Sequence, residues 1–261
     1  PQQPTAGTFY KYLLFLRPAT TLRQSYYYSV HYLNTMANLQ VILVATSAIL
    51  LTAAVLPAAS ADVTVADIVT PEFFNGIKNQ APNSCVGKGF YTLDAFLRAV
   101  HSYPNFGNRR SLPGSKREIA AFFAHVTHET GNMCYIEETN RGTYCDPTQF
   151  PCAPGKRYYG RGALQLRWNY NYAKSGRENN FDGVNDPDAV ARDPVRAWRS
   201  ALWFWVTNVG PVLPQGFGAT IRKINGKECD GGNSAAVRER VGYYNNYCRK
   251  FGIPLQTNAG C

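Results

Sequence analysis

Histidine and methionine are scarce in this chain of 261 residues, with four and two copies, and charged residues make up only 17% of it. Beyond residue 61 the only histidines are His101, His125 and His128, and Cys-x-x-Cys, His-Glu-x-x-His and His-x-x-Glu-His are all absent. A metal centre built from His and Cys therefore lacks its usual spacing. His125 and His128 do lie near Glu129, but no third ligand accompanies them, so His125 reads as a core residue and His128 as a partner for a carboxylate. No metal and no organic cofactor is expected. The longest apolar run, Val41 to Leu56, has 16 residues, short of the ~20 that a membrane span needs. No repeat, low-complexity tract or linker follows Ala61, so nothing argues for a second domain. Nor are the basic residues massed into an arm that would grip nucleic acid, which is excluded on that ground.

The apolar run makes sense as a secretory signal. It follows Met36 and is closed by Pro57-Ala-Ala-Ser-Ala61, a small-x-small cleavage pattern. Residues 36–61 are thus expected to be removed, leaving no membrane segment, and residues 1–35 read as an upstream extension with no role in the product. The remaining residues, 62–261, suit one domain with a substantial core. Removing Lys11, Arg17 and Arg23 takes the formal charge from +10 to +7, which favours contact with polyanions such as acidic wall polysaccharide. All seven cysteines follow residue 61, as expected for a secreted, extracellular protein of the apoplast or cell wall. An odd count leaves one thiol over. Spacing alone does not fix the pairing, but Cys145 and Cys152 bracket a tight, proline-rich stretch and read as a small closed loop.

Helical patterns predominate. Thr70-Pro71 opens a short helix through Phe73, Phe74 and Ile77. Thr92 caps a second over 93–102, with Leu93, Phe96, Leu97 and Val100 on one face. Ser115 and Glu118 read as the capping box of a third helix, which buries Ile119, Phe122, Phe123 and Val126 and is ended by Gly131. A fourth runs from Pro194 through Trp198, Leu202 and Trp205, buried on most sides. A fifth covers 217–224 and a sixth 233–250. Tyr158-Tyr159 and Leu164-Gln165-Leu166 are the only strand candidates, as a very small β-hairpin. The class is mainly α.

Two carboxylates, Glu129 and Glu138, flank Cys134 and stand nine residues apart. Hydrolysis of a glycosidic bond needs one group to protonate the leaving oxygen and another to activate water or attack carbon, and two carboxyls in unlike settings serve both needs. Glu129 falls in the last turn of the third helix, where the partly negative helix end disfavours a second anion. That suits a proton donor. Glu138 lies beyond the helix, in a segment able to fold back. Its neighbour Glu137 is a rival for the role, and an exposed Glu-Glu pair beside Arg141 also reads as a solvated ion pair of small worth.

Several ordered motifs carry a resemblance: His128-Glu-Thr-Gly131, Cys134-Tyr-Ile-Glu-Glu138, Tyr158-Tyr-Gly-Arg-Gly162, Gln165-Leu-x-Trp-Asn-Tyr-Asn-Tyr172, Ala201-Leu-Trp-Phe-Trp205, Ile224-Asn-Gly226 and Arg240-Val-Gly-Tyr-Tyr244. Together they resemble plant chitinases of glycoside hydrolase family 19, from about residue 65 to the last cysteine, and most of all the short-looped class IV catalytic domain. The resemblance implies a lysozyme-like bilobal helical fold with a central cleft, and inverting endo-hydrolysis of β-1,4-linked N-acetylglucosamine polymers in plant defence. It implies Glu129 as general acid and Glu138 as general base. His128, Gln165, Tyr170, Asn171 and Asn225 match sugar-binding positions, and Glu228 with Arg240 a supporting charge network. It further implies the pairs Cys85 with Cys134, Cys145 with Cys152 and Cys229 with Cys261, leaving Cys248 as a buried thiol. The expected partners are chitin and its oligomers, met by a monomer.

One position departs from that pattern. Arg167 stands where active relatives usually have a Ser or Thr that helps to hold the attacking water, and a guanidinium cannot accept a hydrogen bond. It either swings into solvent or pairs with Glu138, so an impaired enzyme, or a protein that binds chitin without cutting it, is the alternative reading. A peptidoglycan-cutting activity is a third, since the implied fold permits it. No cysteine precedes position 85, so no hevein-type chitin-binding module is expected and the cleft alone would grip the polymer.

Overall fold

In a computed structural model of the chain, the described residues are His31 and 63–261. The expected extension and signal segment lie outside them, apart from His31. The rest falls within one compact unit, Asp62–Cys261. Its ten α-helices among the described residues are α1 (Val65–Ile68), α2 (Pro71–Lys78), α3 (Gly87–Phe90), α4 (Leu93–Val100), α5 (Leu112–Thr130), α6 (Asn169–Asn179), α7 (Ala189–Arg192), α8 (Pro194–Phe204), α9 (Phe217–Asn225) and α10 (Ser234–Lys250). A π-turn, Trp205–Val209, and a 3₁₀ turn, Gly210–Gln215, join α8 to α9. None of the described helices is long and apolar enough to cross a membrane.

The bilobal form follows from two separate hydrophobic cores. The larger gathers Phe73, Phe74, Phe96, Phe122, Phe123, Trp198, Leu202 and Trp205, much of it as edge-to-face aromatic pairs such as Phe122 against Trp205. The smaller gathers Tyr158, Leu166, Tyr172, Val190, Ala197 and Trp203. Helix α8 supplies both, Trp198 and Leu202 to one core and Ala197 and Trp203 to the other. It is buried on most sides because it is the wall the lobes share.

Helix α5 begins one turn earlier than the sequence pattern suggests. Its N-cap is Ser111, which accepts from the Gly114 amide, and Pro113 sits in the first turn, where a missing N–H costs nothing. Ser115 and Glu118 are therefore not a capping box. Both are buried: Ser115 accepts from the Arg109 amide, while Glu118 accepts from Arg109 Nε, the Gly107 amide and Trp205 Nε1. At its other end α5 stops at Gly131, with φ of 56°, in the left-handed region glycine tolerates.

The expected β-hairpin is replaced by isolated bridges. Among the described residues Glu137 pairs with Arg161 and Arg161 with Leu166, and Tyr158-Tyr159 forms no ladder with residues 164–166. Two causes are visible. Gly162 and Gln165 adopt φ of 77° and 47°, so the chain reverses at once between Arg161 and Leu166, which exchange both backbone hydrogen bonds, and the pairing stops at that one bridge. The buried Arg161 guanidinium takes the carbonyls of Arg157 and Tyr159, oxygens that a ladder would otherwise use. Helix α6 and the short α1, α3 and α7 go beyond the sequence expectation, while α4 stops at Val100, short of residue 102.

Candidate active site

Glu129 and Glu138 are brought together by a reversal of the chain. After Gly131, Asn132 and Met133 also take positive φ, 60° and 64°, a costly run for L-residues. Three features offset that cost. Met133 is fully buried, its amide donates to Thr130 Oγ1, and the amides of Cys134 and Tyr135 both return to the Thr130 carbonyl. Cys134 is then bonded to Cys85, and Gly87 packs so closely on the same segment that a Cβ there would stand 2.3 Å from the Met133 carbonyl oxygen. The chain continues to Glu138, whose amide donates to the Gly160 carbonyl.

The resulting cleft contains a cavity of about 390 Å³ between the lobes, lined by Glu129, Tyr144, Gln165, Arg167, Asn171 and Asn225 among others. Arg167 is the wall in front of Glu138. Its Nε donates to Glu138 Oε2 at 2.6 Å, and its Nη1 lies 3.9 Å from Glu129 Oε2. Of the two expected fates for this arginine, the structure takes the pairing, and it extends that pairing across the gap. One guanidinium thus reaches both carboxyls and stands between them. Glu138 Oε1 is buried and makes no hydrogen bond of good geometry, while the Tyr144 hydroxyl lies near the same carboxyl, its pKa raised by burial and then by the Glu138 charge.

Glu129 is held from behind. Arg240, only 1% exposed, donates to Glu129 Oε1 and to both oxygens of Glu228. Burial works to raise the Glu228 pKa, but hydrogen bonds and charge from Arg240 outweigh it and hold the carboxyl below its ordinary value. Arg240 Nη1 also lies 3.1 Å from His125 Nδ1. An arginine can only donate, so Nδ1 accepts, and the proton sits on Nε2, which donates to Thr220 Oγ1 at 2.8 Å. Burial, then the charges of Arg240 and His128, push the His125 pKa well down, which keeps this ring neutral. The sequence reading of His125 as core missed its part in the network; a histidine beneath Glu129 by one helical turn was the available signal.

The other expected residues divide. Asn225 lines the cavity and donates to Glu228 Oε1 at 2.8 Å. Asn171 lines it too, and its amide holds the Arg167 carbonyl. Gln165 is nearly buried, its Nε2 spent on the carbonyls of Ile136 and Gly162. Tyr170 lines the adjoining groove with Trp168 and Asn208 and stacks on the Trp168 ring. His128 does not line the cavity. Its Nδ1 lies 2.9 Å from Glu239 Oε2, an ion-pair contact without hydrogen-bond geometry. Glu137 faces Tyr159, Arg141 and Arg161 instead of the cleft. The disulfides are Cys85–Cys134, Cys145–Cys152 and Cys229–Cys261, and Cys248 is free and buried. Among the described residues no group of three or more His, Cys, Asp and Glu gathers as a metal site.

A two-lobed helical body with one carboxyl on the cleft wall and a second joined to it through one arginine fits the lysozyme-like glycosidases. The chain belongs to glycoside hydrolase family 19, whose pattern, described as chitinase class I, matches residues 68–215. It is 58% identical over 208 residues to Chitinase 4 of Oryza sativa subsp. japonica, covering 78% of this chain and 73% of that protein. It is 56% identical over 204 residues to Endochitinase EP3 of Arabidopsis thaliana, covering 76% of this chain and 75% of that one. Its fold matches the crystal structure of a family 19, class IV chitinase from Zea mays with a TM-score of 0.73 at 55% identity, over 74% of this chain and 98% of that one.

Proposed function

We propose that this chain hydrolyses β-1,4-N-acetylglucosamine linkages in chitin from within the chain, by single displacement with inversion. The observation that supports this most is the placement of Glu129, which lines the cleft with Asn171 and Asn225 and is fixed from behind by Arg240. In this reading a water beside the Glu138 carboxylate attacks the anomeric carbon as Glu138 takes its proton. The C1–O bond breaks toward the leaving sugar, and Glu129 supplies the proton that the departing oxygen needs. Arg240 sets the position of Glu129, and Asn171 and Asn225 offer amides to the sugar. Endochitinases of similar sequence in maize and Arabidopsis support the substrate. Secretion and a defensive role are part of the same proposal.

Hydrolysis of a chitin oligomer, with the anomer of fresh product recorded, tests it. Glu129→Gln and Glu138→Gln should each lower turnover by about 10²- to 10⁴-fold, and wild type should release the α-anomer. A β-anomer first product would overturn the mechanism. The Arg167 bridge supports a second reading, a chitin-binding protein without turnover, which a silent but sugar-binding wild type would favour.

A further inference from the structure

Three arginines line or back the cleft, and they are held very differently. Arg161 is buried and donates to the Arg157 and Tyr159 carbonyls, the Tyr172 hydroxyl and Asp188. Arg240 is buried and donates to Glu129 and Glu228. The side chain of Arg167, by contrast, is 33% exposed, and its one hydrogen bond of good geometry runs from Nε to Glu138 Oε2. Its Nη1 comes no nearer than 3.9 Å to Glu129, beyond hydrogen-bond reach. A long side chain held at one point and open to solvent changes rotamer readily, whereas the other two guanidinium groups are fixed on several sides.

The backbone beneath Arg167 does not share this freedom. Its carbonyl accepts from Asn171 Nδ2, the Trp168 amide donates to the Tyr158 carbonyl, and Leu166 exchanges both backbone bonds with Arg161. Movement is therefore confined to the side chain. Tyr144 offers it a place to go: its ring centroid lies 5.9 Å from the guanidinium carbon, on the wall of the same cavity, and an aromatic face attracts a cation. Tyr144 also stands close enough to Glu138 for that charge, after burial, to raise its pKa. Its hydroxyl is thus at hand to donate to the carboxylate once the guanidinium leaves.

Single displacement by two carboxyls needs a water and the anomeric carbon in the space between them, and that is where the guanidinium stands. We infer that Arg167 is a latch on the cleft, closing the gap between Glu129 and Glu138 in the free protein and swinging toward Tyr144 when a chitin oligomer enters. Each productive binding event must then break the contact with Glu138 first. The inference rests on the chitin-cleaving reading for its kinetic form, though not for its binding form. A charge-assisted hydrogen bond from a partly exposed side chain corresponds to about a tenfold factor in an equilibrium. The latch therefore weakens apparent affinity by that factor and leaves the contacts of the open cleft unchanged.

The test compares kcat/KM on one chitin oligomer for wild type, Arg167→Ala and Arg167→Ser, with guanidinium chloride added as a probe of the gap. Both variants should show a kcat/KM about tenfold higher than wild type. Alanine offers no group to hold a water, so a rise in Arg167→Ala reports the opened gap alone. Guanidinium should inhibit Arg167→Ala in competition with the oligomer, and more strongly than it inhibits wild type, relative to sodium chloride at equal ionic strength. An unchanged or lower kcat/KM in either folded variant would overturn the inference, as would equal inhibition of wild type and Arg167→Ala. Should one variant fail to fold, the other decides. If none of the three proteins cuts the oligomer, the hydrolytic reading fails, and dissociation constants measured by calorimetry decide the latch: binding about tenfold tighter in the variants sustains it, and equal or weaker binding sinks it.

Discussion

Replacing Arg240 by methionine keeps most of the volume of this side chain and removes its guanidinium, and the consequence can be worked from the hydrogen bonds that the guanidinium makes. Arg240 is buried, donates three hydrogen bonds to Glu228 and Glu129, and contacts His125 at 3.1 Å. Glu228 is buried as well, with its carboxyl held ionised. Removing one partner of such a pair leaves an uncompensated buried charge, which costs about 3–5 kcal/mol. In a unit of this size each kcal/mol corresponds to roughly 2–4 °C in Tm, so Arg240→Met should melt roughly 6–20 °C lower. Urea unfolding measures the free energy directly. Adding Glu228→Gln should restore part of the loss, because the second substitution removes the stranded charge. The pH dependence has a definite sign. The depressed Glu228 carboxyl contributes stability that is present above its unfolded value of 4.5 and is lost as pH falls through the folded one. Arg240→Met lacks that contribution, so the gap between variant and wild type should narrow below that pH. A loss under about 1 kcal/mol, or one undiminished in the double variant, would refute the reasoning.

Two further substitutions probe how the cleft is positioned. At Gly160 the backbone is ordinary, but an added Cβ would stand 3.0 Å from both Glu138 Oε2 and Gln165 Oε1; Gly160→Ala should lower kcat while shifting stability by less than about 1 kcal/mol, and an unchanged kcat would show that the Glu138 carboxylate tolerates displacement. Replacing Cys85 and Cys134 by serine opens a link between residues 49 apart and should cost about 4 kcal/mol, against about 2.5 kcal/mol for the pair seven apart at Cys145 and Cys152. Only the first should depress turnover of the folded fraction, since Cys134 lies between the two glutamates; equal effects on turnover would count against a positioning role.

The helices that were legible in the sequence are those whose apolar face meets the larger core. α2, α4, α8 and α10 each carry a cap or proline together with a periodic stripe, and both signals arise within one segment. Helix α6 had neither. Its N-cap position, Trp168, makes no side-chain capping bond, and of its buried residues only Tyr172 joins the smaller core, so nothing local marks it. The same limit explains the site. Residue types and spacing around Glu129 and Glu138 could suggest acid and base, because both sit in one short stretch closed by a left-handed turn. They could not supply the group between those carboxylates. Arg167 is 29 residues beyond Glu138 in sequence, and its arrival depends on the turn from Gly162 to Gln165, both at positive φ, that reverses the chain just before it. The group that stands between the two carboxyls is therefore set by tertiary placement. One arginine partners Glu129 and Glu228 from behind and another reaches Glu129 and Glu138 from the front, so Glu129 is the carboxyl whose surroundings change on substitution of either arginine.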